Sequence, residues 1–96
     1  MLLQKPIKKG DCVSIKLISG EEILAAYEDE TDSHLVVEKP SNLVPGREGG
    51  MGIVPWFMSS KAEKVNLSKT TIVAFTRTED EIAKSYRQAT TNITLA

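Results

Sequence analysis

Val13-Ser14-Ile15-Lys16-Leu17-Ile18-Ser19-Gly20-Glu21-Glu22-Ile23-Leu24-Ala25-Ala26-Tyr27 reads as two β-strands folded back on each other at Ser19-Gly20. Val13, Ile15 and Leu17 alternate with Ser14, Lys16 and Ile18, the two-residue period of a strand with one buried face. Ser-Gly supplies the positive φ that a hairpin turn requires, and an apolar repeat resumes directly after it. No side chain in this stretch is reactive, so any functional reading must come from a fold and its surface.

Downstream, the polar run Glu28-Asp29-Glu30-Thr31-Asp32-Ser33 predicts a turn, and His34-Leu35-Val36-Val37-Glu38 a third strand that Pro40 interrupts or ends. Residues 41–52 hold Pro45-Gly46, Gly49, Gly50 and Gly52, a composition that reads as a long mobile loop. Ile53-Val54-Pro55-Trp56-Phe57-Met58 reads as a fourth strand. Pro55 lacks an N–H and argues for an edge or a bulge, and Trp56 and Phe57, being adjacent in a strand, point to opposite faces. Val65-Asn66-Leu67-Ser68 leads into Lys69-Thr70-Thr71, and Ile72-Val73-Ala74-Phe75 completes a fifth strand.

The period then changes. Thr78-Glu79-Asp80-Glu81 has the form of a capping box, and Ile82, Tyr86 and Ala89 share one face at helical spacing, predicting a helix over about 79–90 and a Thr-rich tail. The 96 residues make one domain: a basic arm over 1–10, the strands over 11–77, and the helix and tail over 78–96. Five short strands joined by hairpins predict a mainly β fold, a small, strongly bent, partly open barrel with a C-terminal α-helix.

With 41% hydrophobic and 26% charged residues the chain has the composition of a soluble globular protein, and no apolar run approaches the roughly 20 residues of a membrane span. The opening residues carry no secretion-signal core, which predicts a cytoplasmic location. Cys12 and His34 are each the only residue of their kind; neither an internal disulfide nor a Cys/His zinc cage can form, and no metal or cofactor is expected. The net charge of −1 conceals a strong pattern: +3 over 1–20, −7 over 21–38, +4 over 39–77 and −1 over 78–96. A polyanion can therefore be bound only by one face.

Leu17-Ile18-Ser19-Gly20, with Ile23, Tyr27, the acidic turn and His34-Leu35-Val36-Val37 after it, resembles the first motif of the Sm/LSm family. In that motif a Leu-x-Asp/Asn-Gly turn precedes a strand, an acidic turn, Asn and an apolar strand. Leu67-Ser68-Lys69-Thr70-Thr71-Ile72-Val73 stands where the family's second motif, typically Ile-Arg-Gly-Asn-Asn-Ile-Val, would be. The resemblance covers about residues 12–76. Ser19, Ala25, His34 and Ser68-Lys69 depart from the usual Asp/Asn, Gly, Asn and Arg-Gly, and these departures fall on RNA-contacting positions.

The resemblance implies a homo-oligomeric ring, closed through the fourth and fifth strands of neighbouring copies, whose pore-side loops bind single-stranded RNA, with DNA as a further possibility, and catalyse nothing. His34 would stack on or hydrogen-bond a base and Lys69 would stand in for the missing Arg. Asp32, Ser33, Ser68, Thr70 and Thr71 would read base edges, and Lys5, Lys8 and Lys9 would touch phosphates. The alternative is an SH3-like barrel serving as a protein-interaction or structural adaptor without nucleic acid. Enzyme chemistry has no constellation here: a Cys12–His34 pair lacks an orienting residue, the acidic turn lacks EF-hand spacing, and the glycine run at 46–52 is followed by no Gly-Lys-Ser/Thr.

Overall fold

The computed structural model describes residues 6–46, 49–60 and 63–92. Six antiparallel strands and one helix follow in the order β1 (Cys12–Leu17), β2 (Glu22–Glu30), β3 (His34–Pro45), β4 (Met51–Pro55), β5 (Lys64–Ser68), a 3-10 turn (Lys69–Thr71), β6 (Ile72–Arg77) and α1 (Asp80–Asn92). The strand order is β4-β3-β2-β1-β6, with β5 also on β3. The sheet does not close: among the described residues β5 pairs with β3, β6 with β1, and no ladder joins β5 to β6.

The opening hairpin forms as its pattern dictates. Ile15 lies opposite Ile23 and Lys16 opposite Glu22, Gly20 has a φ of 93°, and its N–H donates to the Leu17 carbonyl. Val13, Ile15 and Leu17 enter the main core with Ile23, Ala25, Leu35, Val37 and Leu67. Alternation fails in β2 because both of its faces are covered: Leu24 turns outward into a second cluster with Cys12, Ala83 and Tyr86 beneath α1. The helix presents Ala83 and Tyr86 to the sheet. The Tyr86 hydroxyl donates to the carbonyls of Glu38 (3.1 Å) and Lys39 (2.9 Å), and burial pushes its pKa well up.

Several expectations are corrected. Glu28-Asp29-Glu30, expected in the turn, form the end of β2, paired with β3 through Asp29 opposite Val36 and Glu30 opposite Leu35. Of the two outcomes expected at Pro40, the third strand is interrupted there and does not end. β3 runs on to Pro45, because Lys39 adopts φ 51° and the β2 register skips between Leu24 and Ala26, placing the proline in a bulge where no ladder needs its N–H. Residues 41–52 are therefore not one long loop; 41–45 and 51–52 belong to the β3–β4 hairpin.

The fourth strand is also different. β4 stops at Pro55, so Trp56 and Phe57 lie outside it, and their rings meet edge to face at 5.0 Å instead of pointing to opposite faces of a strand. Val65–Ser68 belongs to a sixth strand, since the first half of the twelve-residue β3 pairs with β5 while its second half pairs with β4. Finally, α1 begins at Asp80, which puts Thr78 outside the capping position. Its hydroxyl lies 2.8 Å from the Ser14 hydroxyl.

No described helix is long and apolar enough to cross a membrane. The tail at 93–96 lies outside the described residues.

Candidate functional site

The β2–β3 turn and the segment joining β5 to β6 meet at one end of the sheet because His34 lies opposite Ser68 in the β3–β5 ladder. The Lys69 N–H donates to the Ser33 carbonyl at 2.9 Å, locking the two segments together. Thr31 organises the first: its hydroxyl accepts from the N–H groups of Ser33 (3.3 Å) and His34 (3.0 Å), while its own N–H donates to the His34 carbonyl. Ser68 organises the second, because its hydroxyl lies 2.9 Å from that of Thr70 and its carbonyl accepts from the Thr71 hydroxyl at 2.7 Å.

His34 is exposed, and its Nδ1 lies 2.8 Å from the Ser33 hydroxyl. That contact orients the ring and leaves Nε2 as the atom available to a ligand. Lys69 is half-buried, its ammonium 2.7 Å from Glu30 Oε2, and the Tyr27 hydroxyl donates to the other oxygen of the same carboxylate at 3.2 Å. The Lys69 contact, aided by Tyr27, holds the Glu30 carboxyl below its ordinary range. Partial burial, and then Glu30, pushes the Tyr27 hydroxyl up. A shallow groove of about 330 Å³ continues from Glu30 and Lys69 along Ile72, Val73, Ala74 and Phe75 of β6.

Asp32, Ser33, His34, Ser68, Lys69, Thr70 and Thr71 thus fall on two linked segments. Lys5 lies outside the described residues, Lys8 uses its backbone N–H on Asp11, and Lys9 is paired 3.1 Å from Glu28, which Lys64 also meets at 3.3 Å. Glu28 is held low mainly by Lys9. Sequence reasoning missed Glu30 as the partner of Lys69. The acidic run was visible, but the pairing depends on β5, which brings residue 69 beside the end of β2.

Among the described residues, Asp29 and Glu30 at the end of β2 and Asp32 in the β2–β3 turn stand at this end, where the Lys69 ammonium pairs with Glu30. Among the described residues no group of three or more His, Cys, Asp or Glu side chains is placed to hold a metal ion. Cys12, buried under α1, has its thiol pushed up by that burial.

The outer edges of the sheet have a definite polarity. Lys69 N–H to Ser33 and Lys39 N–H to Glu63 set the phase of the β3–β5 ladder, so the backbones of Leu67 and Val65 face β3, and those of Lys64, Asn66 and Ser68 face away. On β6, the Thr78 N–H to Cys12 bond sets the phase, so the backbones of Phe75 and Arg77 face away. No protein-family model matches this chain, and no curated protein matches it.

Proposed function

We propose that the chain is an Sm-like subunit that assembles with copies of itself into a ring and binds single-stranded RNA at the joined loop end, without catalysing a reaction. The observation that carries the reading is the 2.9 Å bond from Lys69 N–H to the Ser33 carbonyl, which unites the counterparts of both family motifs in one surface. The assembly follows from the edges. Among the described residues no strand lies on the outward backbone rows of β5 and β6, and pairing β5 of one copy with β6 of the next satisfies both rows head to tail. A closed ring then repeats His34, Lys69 and Thr70 once per copy, the periodicity a strand of nucleotides can follow.

Because Glu30 already neutralises Lys69, the bases carry more of this binding than the phosphates: Nε2 of His34 and the hydroxyls of Ser33, Ser68 and Thr70 face them. Sedimentation of the purified protein followed by fluorescence anisotropy with short A- or U-rich RNA at two salt concentrations tests this. Lys69→Ala is expected to weaken binding several-fold, since it leaves the Glu30 carboxylate unpaired beside the bound strand. A protein that sediments as a single chain, or one that assembles and binds no RNA, removes the reading. The acids Asp29, Glu30 and Asp32, in excess of Lys69 among the described residues, favour a second reading, an SH3-like adaptor whose loop end contacts basic protein segments and no nucleic acid.

A further inference from the structure

The β4 side of the sheet points to a contact separate from the loop end and from the β5 and β6 edges. β4 pairs only with β3 among the described residues, and residues 49–60 contain no charged side chain. Met51 (59% exposed), Val54 (39%), Phe57 (45%) and Met58 (88%) stand in solvent there. An uncharged edge strand with exposed apolar side chains invites another strand.

The backbone indicates which strand. Trp56 N–H bonds the Pro40 carbonyl and Gly46 N–H the Gly50 carbonyl, so the backbones of Gly52 and Val54 face β3 and those of Met51, Ile53 and Pro55 face outward. That outer row offers N–H and C=O at Met51 and Ile53, and C=O alone at Pro55. It is complementary to itself. If two copies pair antiparallel with Ile53 opposite Ile53, the two Ile53 residues exchange both bonds, and each Met51 N–H donates to the Pro55 carbonyl across the axis. The missing proline N–H then leaves unpaired only the Met51 carbonyl, at the rim where water reaches it.

Side-chain sizes match in the same register. Gly52 falls opposite Val54 of the other copy, so each Val54 side chain meets a glycine. A glycine inside a strand marks a place where another chain approaches closely. The absence of charge removes the like-charge repulsion that a two-fold contact would otherwise impose.

We propose that β4 docks edge to edge on β4 of a second copy about a two-fold axis through Ile53, joining two subunits, and through them two assemblies. Sedimentation and cysteine cross-linking of the full chain test it. Val54→Lys changes a partly exposed side chain and is expected to halve the sedimentation mass with an unchanged circular-dichroism spectrum. In the double variant Gly52→Cys/Val54→Cys, opposed non-bonded residues lie about 4.5 Å apart at Cα, within disulfide range. A Cβ at residue 52 meets only ordinary contacts with Val44, the nearest at 3.6 Å.

Oxidation is expected to give a band of twice the chain mass on a non-reducing gel, while Lys84→Cys on the exposed side of α1 gives one chain mass. An unchanged mass for Val54→Lys, or an oxidised double variant that runs as a single chain, overturns the proposal. Asn66→Pro removes an outward N–H of β5 without touching the β3 ladder and separates this contact from the ring. If it leaves a two-chain species that Val54→Lys then splits, the β4 contact stands. If the mass of Asn66→Pro equals that of the wild type while Val54→Lys still halves it, the ring reading fails and this one holds.

Discussion

The two halves of β3 organise opposite kinds of surface. Around its first half, beside β5, the turn residues Thr31, Ser33, His34, Ser68, Thr70 and Thr71 hydrogen-bond one another, and Lys69 is closed onto Glu30. Around its second half, beside β4, Met51, Val54, Phe57 and Met58 are exposed, and among the described residues no further strand lies on the β4 edge. At the first surface a ligand must exchange a partner that is already present, which favours weak, selective binding. At the second, apolar area and backbone groups gain a partner for the first time, which favours stable association.

Stability measurements break or sharpen that contrast most directly. Leu35, fully buried in β3 beneath the joined loops, is expected to cost about 3 kcal/mol as Leu35→Ala, read by urea denaturation. Val54→Ala on the β4 side should change the dissociated chain by no more than about 0.5 kcal/mol. Equal losses would mean that the β4 side already belongs to the core. Next in size is the cross-link between α1 and the bend of β3. Tyr86→Phe is expected to lose about 1 kcal/mol, with an unchanged dependence on urea, because the Glu38 carbonyl loses a donor while Lys39 keeps the Ser41 hydroxyl at 3.0 Å.

A smaller effect is expected from pH. The carboxyls of Asp11, Glu28 and Glu30 are all held below their ordinary values, Asp11 by the Lys8 N–H and then Arg77, Glu28 by Lys9, and Glu30 by Lys69. A depressed carboxyl stabilises the fold above its unfolded value, and that contribution disappears as pH falls through the folded value. Urea midpoints should therefore be flat near neutrality and fall as the pH drops below about 4.5, the ordinary value of a glutamate. Glu28→Gln should remove part of that slope, because Lys9 and Lys64 lose their common partner. An identical pH profile in the variant would show that this three-membered pairing contributes nothing to the fold.

The same contrast explains what could be read from the residues alone. The opening hairpin, the edge character of β4 and the C-terminal helix each rest on a local signal: alternation, Gly20, Pro55, or the three- and four-residue spacing of Ile82, Tyr86 and Ala89. β5 and the length of β3 rest on long-range pairing. Asn66 and Lys64 interrupt the apolar pattern because that strand has an exposed outer side, and Pro40 reads as a terminator unless the bulge at Lys39 is known. The two segments of the loop end could be singled out as polar runs between apolar ones, and the β3–β5 ladder brings them together. The electrostatics of the loop end were not legible, because the Glu30–Lys69 contact spans 39 positions and depends on the strand that had no clear pattern.

That contact supplies the most delicate test of the loop end. Glu30→Gln keeps the size of the side chain and removes its charge, so Lys69 is released and the local acid excess falls by one. If RNA meets this surface, affinity should rise by roughly threefold, the scale of a screened surface charge, and the salt dependence should steepen because a freed ammonium can now displace counterions. Anisotropy titrations at two salt concentrations read both quantities. The sign separates the readings: a basic peptide bound at the same place would lose affinity in Glu30→Gln, because the variant removes one of the three acids it would meet. Unchanged RNA affinity in both Glu30→Gln and Lys69→Ala would move any nucleic acid away from this end of the sheet, since no ligand reaching Lys69 could remain indifferent to the carboxylate 2.7 Å from it.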